Sequence, residues 1–227
     1  MSASSTVWQG AGRRIHMQEV GTRDGLQMEQ AFVPTEEKIA LVNALSNAGL
    51  SKIEVTSFTS PTAIPALRDA EIVMREITRL PGTVYTALVP NLRGAERAIE
   101  ARTDELNLVM SASETHNISN LRMTREQSFA SLAQVVATAQ AAQVAVNVSL
   151  SCVFGCPMEG NVHASAVFDW VQRFADLGVR GITLCDTTGM AYPTQVHQLT
   201  TAARARWPGM DFTLHFHNTR GMGLANV

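Results

Sequence analysis

Two stretches of this 227-residue chain hold residue types that bind cations and stabilise anions: Arg23-Asp24, and His215-Phe216-His217. Side chains two apart on a strand share a face, so the imidazoles of His215 and His217 can converge on one ion. Asp24 offers an anionic oxygen, which makes a set of two histidines and one carboxylate with positions left open for substrate. Mixed nitrogen and oxygen ligation admits Mg²⁺, Mn²⁺ or Zn²⁺, with Mg²⁺ or Mn²⁺ favoured. Glu54 lies between Ile53 and Val55, and strand alternation turns it inward, where a carboxylate needs a partner. That partner is either Arg23 or the metal site, or else a purely structural ion pair. Asp186 closes Leu184-Cys185-Asp186-Thr187-Thr188-Gly189 and either serves the site or caps the turn that follows. Cys152 and Cys156 have no second thiol pair to complete a structural zinc site, so the segment running on to Gly160 reads as a loop at the mouth.

The elements that must position these residues alternate. Short β-branched runs, predicted as strands at 15–20, 52–56, 84–89, 105–110, 144–151, 181–185 and 212–216, are separated by helical patterns at 35–48, 65–79, 92–101, 124–142, 164–177 and 193–206. Thr35 before Glu36-Glu37 reads as a helix cap, and Gly49 and Gly178 as left-handed helix stops. Seven strands alternating with six helices, without a GxGxxG or phosphate-loop motif, indicate an α/β fold of the (β/α)₈ TIM-barrel type, with seven strands present and the eighth absent. Residues that close barrel strands face the mouth, where such folds bind ligands. Asp24 and the histidines are expected to meet there across the position of the missing eighth strand.

Composition narrows the partners. With 45% hydrophobic and 17% charged residues the chain is expected to bury a sizeable core as one domain, residues 15–227, behind a flexible tail of residues 1–14. A net charge of −2 without a Lys/Arg block gives no footprint for nucleic acid or an anionic membrane. No stretch is long and apolar enough for a membrane span, and three cysteines without a secretory signal fit a reducing cytoplasm.

Taken together, Arg23-Asp24-Gly25-Leu26-Gln27, Glu54 with Thr56-Ser57-Phe58, Cys152 with Gly155-Cys156-Pro157-Met158-Glu159-Gly160, Asp186-Thr187-Thr188-Gly189 and His215-Phe216-His217-Asn218-Thr219 resemble the 3-hydroxy-3-methylglutaryl-CoA lyase family of metal-dependent TIM barrels. The wider superfamily of isopropylmalate and homocitrate synthases shares the arginine-aspartate and HxH elements. The Gly-Leu-Gln continuation and the Cys-Pro-x-Glu-Gly loop resemble the lyase branch. The resemblance implies that Asp24, His215 and His217 bind a divalent cation, that Arg23 stabilises an enolate, that Glu54 and Asp186 support metal site and substrate, and that Gln27 joins Arg23 in substrate binding. It further implies a homo-oligomer acting on an acyl-CoA in leucine degradation.

The implied reaction is retro-Claisen cleavage of a 3-hydroxyacyl-CoA bearing a distal carboxylate, giving acetyl-CoA and a keto acid such as acetoacetate. Two departures bear on it. The family's fourth metal ligand, an asparagine, and its glycine-rich loop with a catalytic cysteine belong around and beyond the eighth strand, and none of Cys152, Cys156 or Cys185 matches that cysteine. Asn218-Thr219-Arg220-Gly221 departs from the lyase pattern, and Arg220 would alter which acyl-CoA fits. The alternatives are an acyltransferase of the isopropylmalate synthase type, condensing acetyl-CoA with a 2-keto acid, and a truncated chain without turnover.

Overall fold

Isoleucine, valine and leucine recur at every second position of the strands, and a parallel sheet that buries these residues needs helices on its outer face. The computed structural model describes residues 15–227 and shows this arrangement, while the expected tail at 1–14 lies outside the described residues. Seven parallel strands, β1 (Gln18–Glu19), β2 (Lys52–Ser57), β3 (Val84–Val89), β4 (Glu105–Ser111), β5 (Ala145–Ser151), β6 (Gly181–Asp186) and β7 (Asp211–Phe216), pair in sequence order. The crossovers carry α1 (Thr35–Asn47), α2 (Ala70–Glu76), α3 (Leu92–Glu100), α4 (Glu114–Leu121), α5 (Arg125–Ala141), α6 (Ala164–Asp176) and α7 (Pro193–Arg206), and a short α8 (Gly223–Asn226) follows β7. Strand order that never reverses is the order of a curling barrel rather than a doubly wound sheet. The fold is a TIM barrel with seven of its strands present.

The main core lies between sheet and helices. Leu106, Leu108, Val148, Leu150, Ile182 and Leu184 alternate along β4 to β6 and are fully buried against Leu132, Val135, Val171 and Phe174 of α5 and α6. The inner face is different: Glu54, Thr86, Asn107, Asn147, Ser149 and Thr183 line a hollow of about 210 Å³ inside the barrel. Polar groups buried inside a sheet are costly unless they bond to one another. Near the amino ends of the strands Lys52 reaches both oxygens of Glu105, at 2.7 and 2.8 Å.

Several boundaries differ from the sequence expectations. The first strand shrinks from 15–20 to Gln18–Glu19, because the chain leaves the sheet at Val20 and closes the π-helical turn Gly21–Gly25. The helix expected at 65–79 is a 3₁₀ turn, Pro65–Leu67, followed by α2, and the Lys38–Asp69 ion pair (2.7 Å) anchors the break between them. Thr35 is not a cap: Pro34 holds that position, and the threonine hydroxyl donates to Asp69 instead, at 2.8 Å. Gly49 and Gly178 do take the left-handed conformation expected of helix stops, with φ of 81° and 83°. Sequence periodicity missed α4, which starts at Ser113, whose side chain accepts from the His116 N–H, and turns back through Arg122 at φ 56°. Among the described residues no helix is long and apolar enough to cross a membrane.

Candidate active site

The π-helical turn after β1 aims Arg23 and Asp24 over the carboxyl ends of the strands. Both of their backbone N–H groups donate to the Val20 carbonyl, at 3.0 and 2.7 Å, and the Thr22 hydroxyl donates to the Glu54 carbonyl at 2.7 Å, which fastens the turn to β2. Arg23 is buried, and its guanidinium bridges two carboxylates. Nε and Nη2 donate to Oε2 of Glu54 at 2.9 and 2.8 Å, and Nη1 donates to Oδ1 of Asp24 at 2.6 Å. Burial works against that positive charge, but Glu54 and then Asp24 outweigh it and hold Arg23 more firmly protonated than an ordinary arginine. Glu54 thus has Arg23 as its charged partner, in a buried ion pair.

The other oxygen of Asp24 faces the histidines. Oδ2 lies 3.8 Å from Nε2 of His215 and 3.7 Å from Nε2 of His217, and the two imidazoles stack with centroids 4.9 Å apart at 16°. Burial, the largest influence, holds His215 below the ordinary histidine range, with the opposing pull of Asp24 too small to reverse it. A neutral ring has one nitrogen lone pair free for a ligand bond. The three donor atoms all lie within 4.8 Å of one another. Donors around an ion at 2.0–2.2 Å stand roughly 3.0–3.6 Å apart, so a small divalent cation fits once the three side chains draw somewhat closer together. The three donors meet across the gap between β1 and β7, as expected from sequence. The sheet's own curvature brings its two ends together, and Nε2 of Gln18 on β1 already donates to the Thr213 hydroxyl of β7 at 3.1 Å.

Asp186 is buried at the end of β6 but stands apart from this cluster. Its Oδ1 accepts from the backbone N–H groups of Met190 and Ala191 at 2.7 and 3.1 Å, while Oδ2 is buried without a partner. Through Oδ1 it caps the turn, while Oδ2 stays open to the other role read from sequence, and that turn supports β7: the His217 N–H donates to the Asp186 carbonyl at 3.4 Å. Gln27 is half-buried and faces a separate hollow of about 320 Å³ on the rim, shared with Phe32, Ile64 and Arg68. Cys152, Cys156 and Cys185 are free and buried.

Sequence reasoning passed over the residues that hold Glu54. Nδ2 of Asn107 donates to Oε1 of Glu54 at 2.7 Å, and Oδ1 of Asn107 accepts from Nδ2 of Asn147 at 2.8 Å and from the Ser149 hydroxyl at 2.9 Å. The signal was available, since Leu106-Asn107-Leu108 and Val146-Asn147-Val148-Ser149-Leu150 place polar residues at inward positions by the same alternation that singled out Glu54.

The HMGL-like family model matches residues 14–227. The curated hydroxymethylglutaryl-CoA lyase YngG of Bacillus subtilis is 45% identical over 215 residues, which cover 95% of this chain and 72% of that protein. A solved HMG-CoA lyase from Bacillus subtilis superposes with a TM-score of 0.90 at 46% identity, over 94% of this chain and 72% of the other. An HMG-CoA lyase from Acinetobacter baumannii, solved in complex with coenzyme A and 3-methylmalate, gives 0.88 at 50% identity, over 92% of this chain and 68% of the other. A family model that spans nearly the whole chain, and relatives this similar in sequence and fold, establish that the chain belongs to the HMGL-like family.

Proposed function

We propose that this chain is a divalent-cation-dependent lyase that cleaves 3-hydroxy-3-methylglutaryl-CoA, or a closely related 3-hydroxyacyl-CoA bearing a distal carboxylate, into acetyl-CoA and acetoacetate. The observation that carries this reading is the meeting of Asp24, His215 and His217 beside the buried guanidinium of Arg23, in a chain whose relatives are named as HMG-CoA lyases. Asp24, His215 and His217 would hold Mg²⁺ or Mn²⁺, which supplies a charge that polarises the substrate's hydroxyl and lowers its pKa.

Once the hydroxyl proton has left, the bond from the hydroxyl-bearing carbon to the thioester's α-carbon breaks. The hydroxyl carbon becomes the ketone of acetoacetate, and the electron pair passes to the thioester as an enolate, which takes a proton to become acetyl-CoA. Arg23 is suited to hold that enolate oxygen. A guanidinium has five N–H donors, and the bonds to Glu54 and Asp24 engage three of them, which leaves two for substrate. A charged donor aimed where negative charge develops strengthens its bond as the C–C bond breaks.

Glu54 fixes the angle of the guanidinium, and Asp186 supports His217 through the turn it caps. Gln27, on the same turn-to-helix segment as Arg23 and lining the hollow on the rim, would join it in binding substrate. Its CoA-linked substrate follows the relative solved with coenzyme A. The three unpaired cysteines fit the reducing cytoplasm expected from composition, and the working assembly is a homo-oligomer.

Incubation with 3-hydroxy-3-methylglutaryl-CoA and Mg²⁺ or Mn²⁺ tests the reaction, with acetoacetate and acetyl-CoA as the expected products and none from Asp24→Asn. Thiol release from acetyl-CoA plus a 2-keto acid, without cleavage, would overturn it in favour of a synthase. Absence of both reactions with Mg²⁺, Mn²⁺ and Zn²⁺ would make the chain catalytically silent.

A further inference from the structure

An arginine facing a carboxylate ordinarily pairs fork to fork, one N–H to each oxygen. Arg23 does not, because both of its contacting N–H groups fall on the single oxygen Oε2 of Glu54. The reason lies on the far side of that carboxylate, where Oε1 is taken by Nδ2 of Asn107 at 2.7 Å. The Asn107 amide cannot turn over. Its Oδ1 accepts from two donors of β5, Nδ2 of Asn147 and the hydroxyl of Ser149, and flipping would set its NH₂ group against that of Asn147 and its oxygen against Oε1 of Glu54. Asn147 is in turn tied to the Thr183 hydroxyl of β6 at 2.9 Å, and it packs so tightly on Gly181 that a Cβ there would stand 2.8 Å from its Oδ1. Hydrogen bonds therefore run along the inner wall from β6 through β5 and β4 to Glu54 on β2, and end at the guanidinium over the mouth.

We infer that Asn107 is a positioning residue for Arg23. By occupying Oε1 of Glu54 it prevents fork-to-fork pairing and keeps the guanidinium turned so that Nη1 reaches Asp24 and two N–H groups face the substrate. Without Asn107, Oε1 is free to swing onto Arg23, and the guanidinium rotates with it, away from Asp24. Asn107 acts through Glu54 alone. The three metal-binding side chains make no hydrogen bond to it.

The catalytic side of this inference rests on the lyase reading, while its geometric side does not, and the experiment separates them. The Arg23 Nε–H resonance, followed by ¹H–¹⁵N NMR in the metal-loaded protein, is expected to move and lose exchange protection in Asn107→Ser, and to do so less in Ser149→Ala, which removes one of the donors fixing the amide. In steady-state cleavage, Asn107→Ser is expected to lower kcat by about thirtyfold with KM and Mn²⁺ affinity changed less than about threefold, a split that general loosening of the barrel would not produce. In a Glu54→Gln background the same substitution is expected to lower kcat by no more than about twofold further. An unmoved Arg23 resonance in both variants overturns the inference, as does a full additional loss in the Glu54→Gln background. If Asn107→Ser does not fold, Ser149→Ala decides by the same two readouts. A moved resonance in a protein that leaves 3-hydroxy-3-methylglutaryl-CoA intact sinks the lyase reading and leaves the positioning role standing.

Discussion

The guanidinium of Arg23 places Nε and Nη2 on a single oxygen of Glu54, at 2.9 and 2.8 Å, while Nη1 reaches Asp24 at 2.6 Å. One cation is thereby held between a carboxylate that orients it and a carboxylate that faces the two histidines. Lysine supplies the charge but not the fork, so Arg23→Lys is expected to lose the bridge although it remains cationic. Its kcat for cleavage should fall by about 10²–10³, as when one donor to a developing oxyanion is removed, with Mn²⁺ affinity within a few fold of the parent. Turnover within tenfold of the parent would show that Arg23 does not meet the enolate.

Asp24 does two things at once, and its substitution should separate from that of its neighbour. Asp24→Asn keeps the shape but removes the anionic oxygen that lies 3.7 and 3.8 Å from the histidine nitrogens. Mn²⁺ affinity, read by calorimetry, is expected to fall by more than about a hundredfold, because loss of an outer partner alone typically costs ten- to a hundredfold. Glu54→Gln should leave that affinity near the parent's value, since Glu54 touches the guanidinium rather than the metal-binding atoms. Equal losses in both variants would mean that the turn as a whole, rather than Asp24, determines binding.

Acidification should loosen the metal-free chain through His215. Burial holds this ring below the ordinary histidine range, so between about pH 6.5 and its folded-state pKa the unfolded chain binds a proton that the folded chain does not. Stability from this group is therefore fully present above about pH 6.5, is lost as pH falls through the window, and declines no further once the folded ring has also titrated. His116, also lowered by burial, adds to the same slope. The urea midpoint should drop from pH 7.5 to pH 5.5, and His215→Gln should flatten that drop only in part. An unchanged slope in the variant would remove His215 from the account.

Two of the three thiols, Cys152 and Cys185, should be silent in the native protein. Burial raises Cys185 to about 12 and Cys152 to about 11, and all three cysteines are enclosed. Alkylation needs an accessible thiolate. Iodoacetamide at pH 8 followed by mass spectrometry is expected to label Cys152 and Cys185 only after guanidinium unfolding, and rapid native labelling of either would contradict the packing described for β5 and β6.

How far the site could be read from sequence depended on which physical signal each residue carried. Strand alternation alone turned Glu54, His215 and His217 inward, and charge placed after an apolar run singled out Arg23 and Asp24. The same alternation at Asn107 and Ser149 went unused, because neutral polar residues in a strand look like ordinary β-sheet composition until a partner is visible. At Asp186 position alone left two roles open, because a carboxylate has two oxygens: one takes the backbone N–H groups of Met190 and Ala191, and the other has no partner. The strands were legible wherever β-branched residues continued to the sheet's edge. The first was overestimated because Val20 carries the chain out of the sheet into the Gly21–Gly25 turn. Helix α4 was missed because it is short and marked mainly by Ser113 and its carboxylate neighbour Glu114.

Gly189 links the turn capped by Asp186 to the strand end that carries His215 and His217. Its φ of 69° is left-handed, and a Cβ there would stand 3.0 Å from the carbonyl oxygen of His217 and from both N and Cβ of Thr219. Backbone cannot yield as a flexible side-chain tip can, so Gly189→Ala must both strain the turn, at about 1–2 kcal/mol for the conformation alone, and push the segment after β7 outward. His217 moves with that segment, whereas His215 is held in the sheet opposite Cys185. The variant is therefore expected to fold with a lowered Tm and to bind Mn²⁺ about tenfold more weakly, a loss of the size that follows when a support behind a ligand is removed. Full Mn²⁺ affinity in a destabilised Gly189→Ala protein would show that His217 keeps its place without this turn, and that the close packing of Gly189 on the strand end serves stability alone.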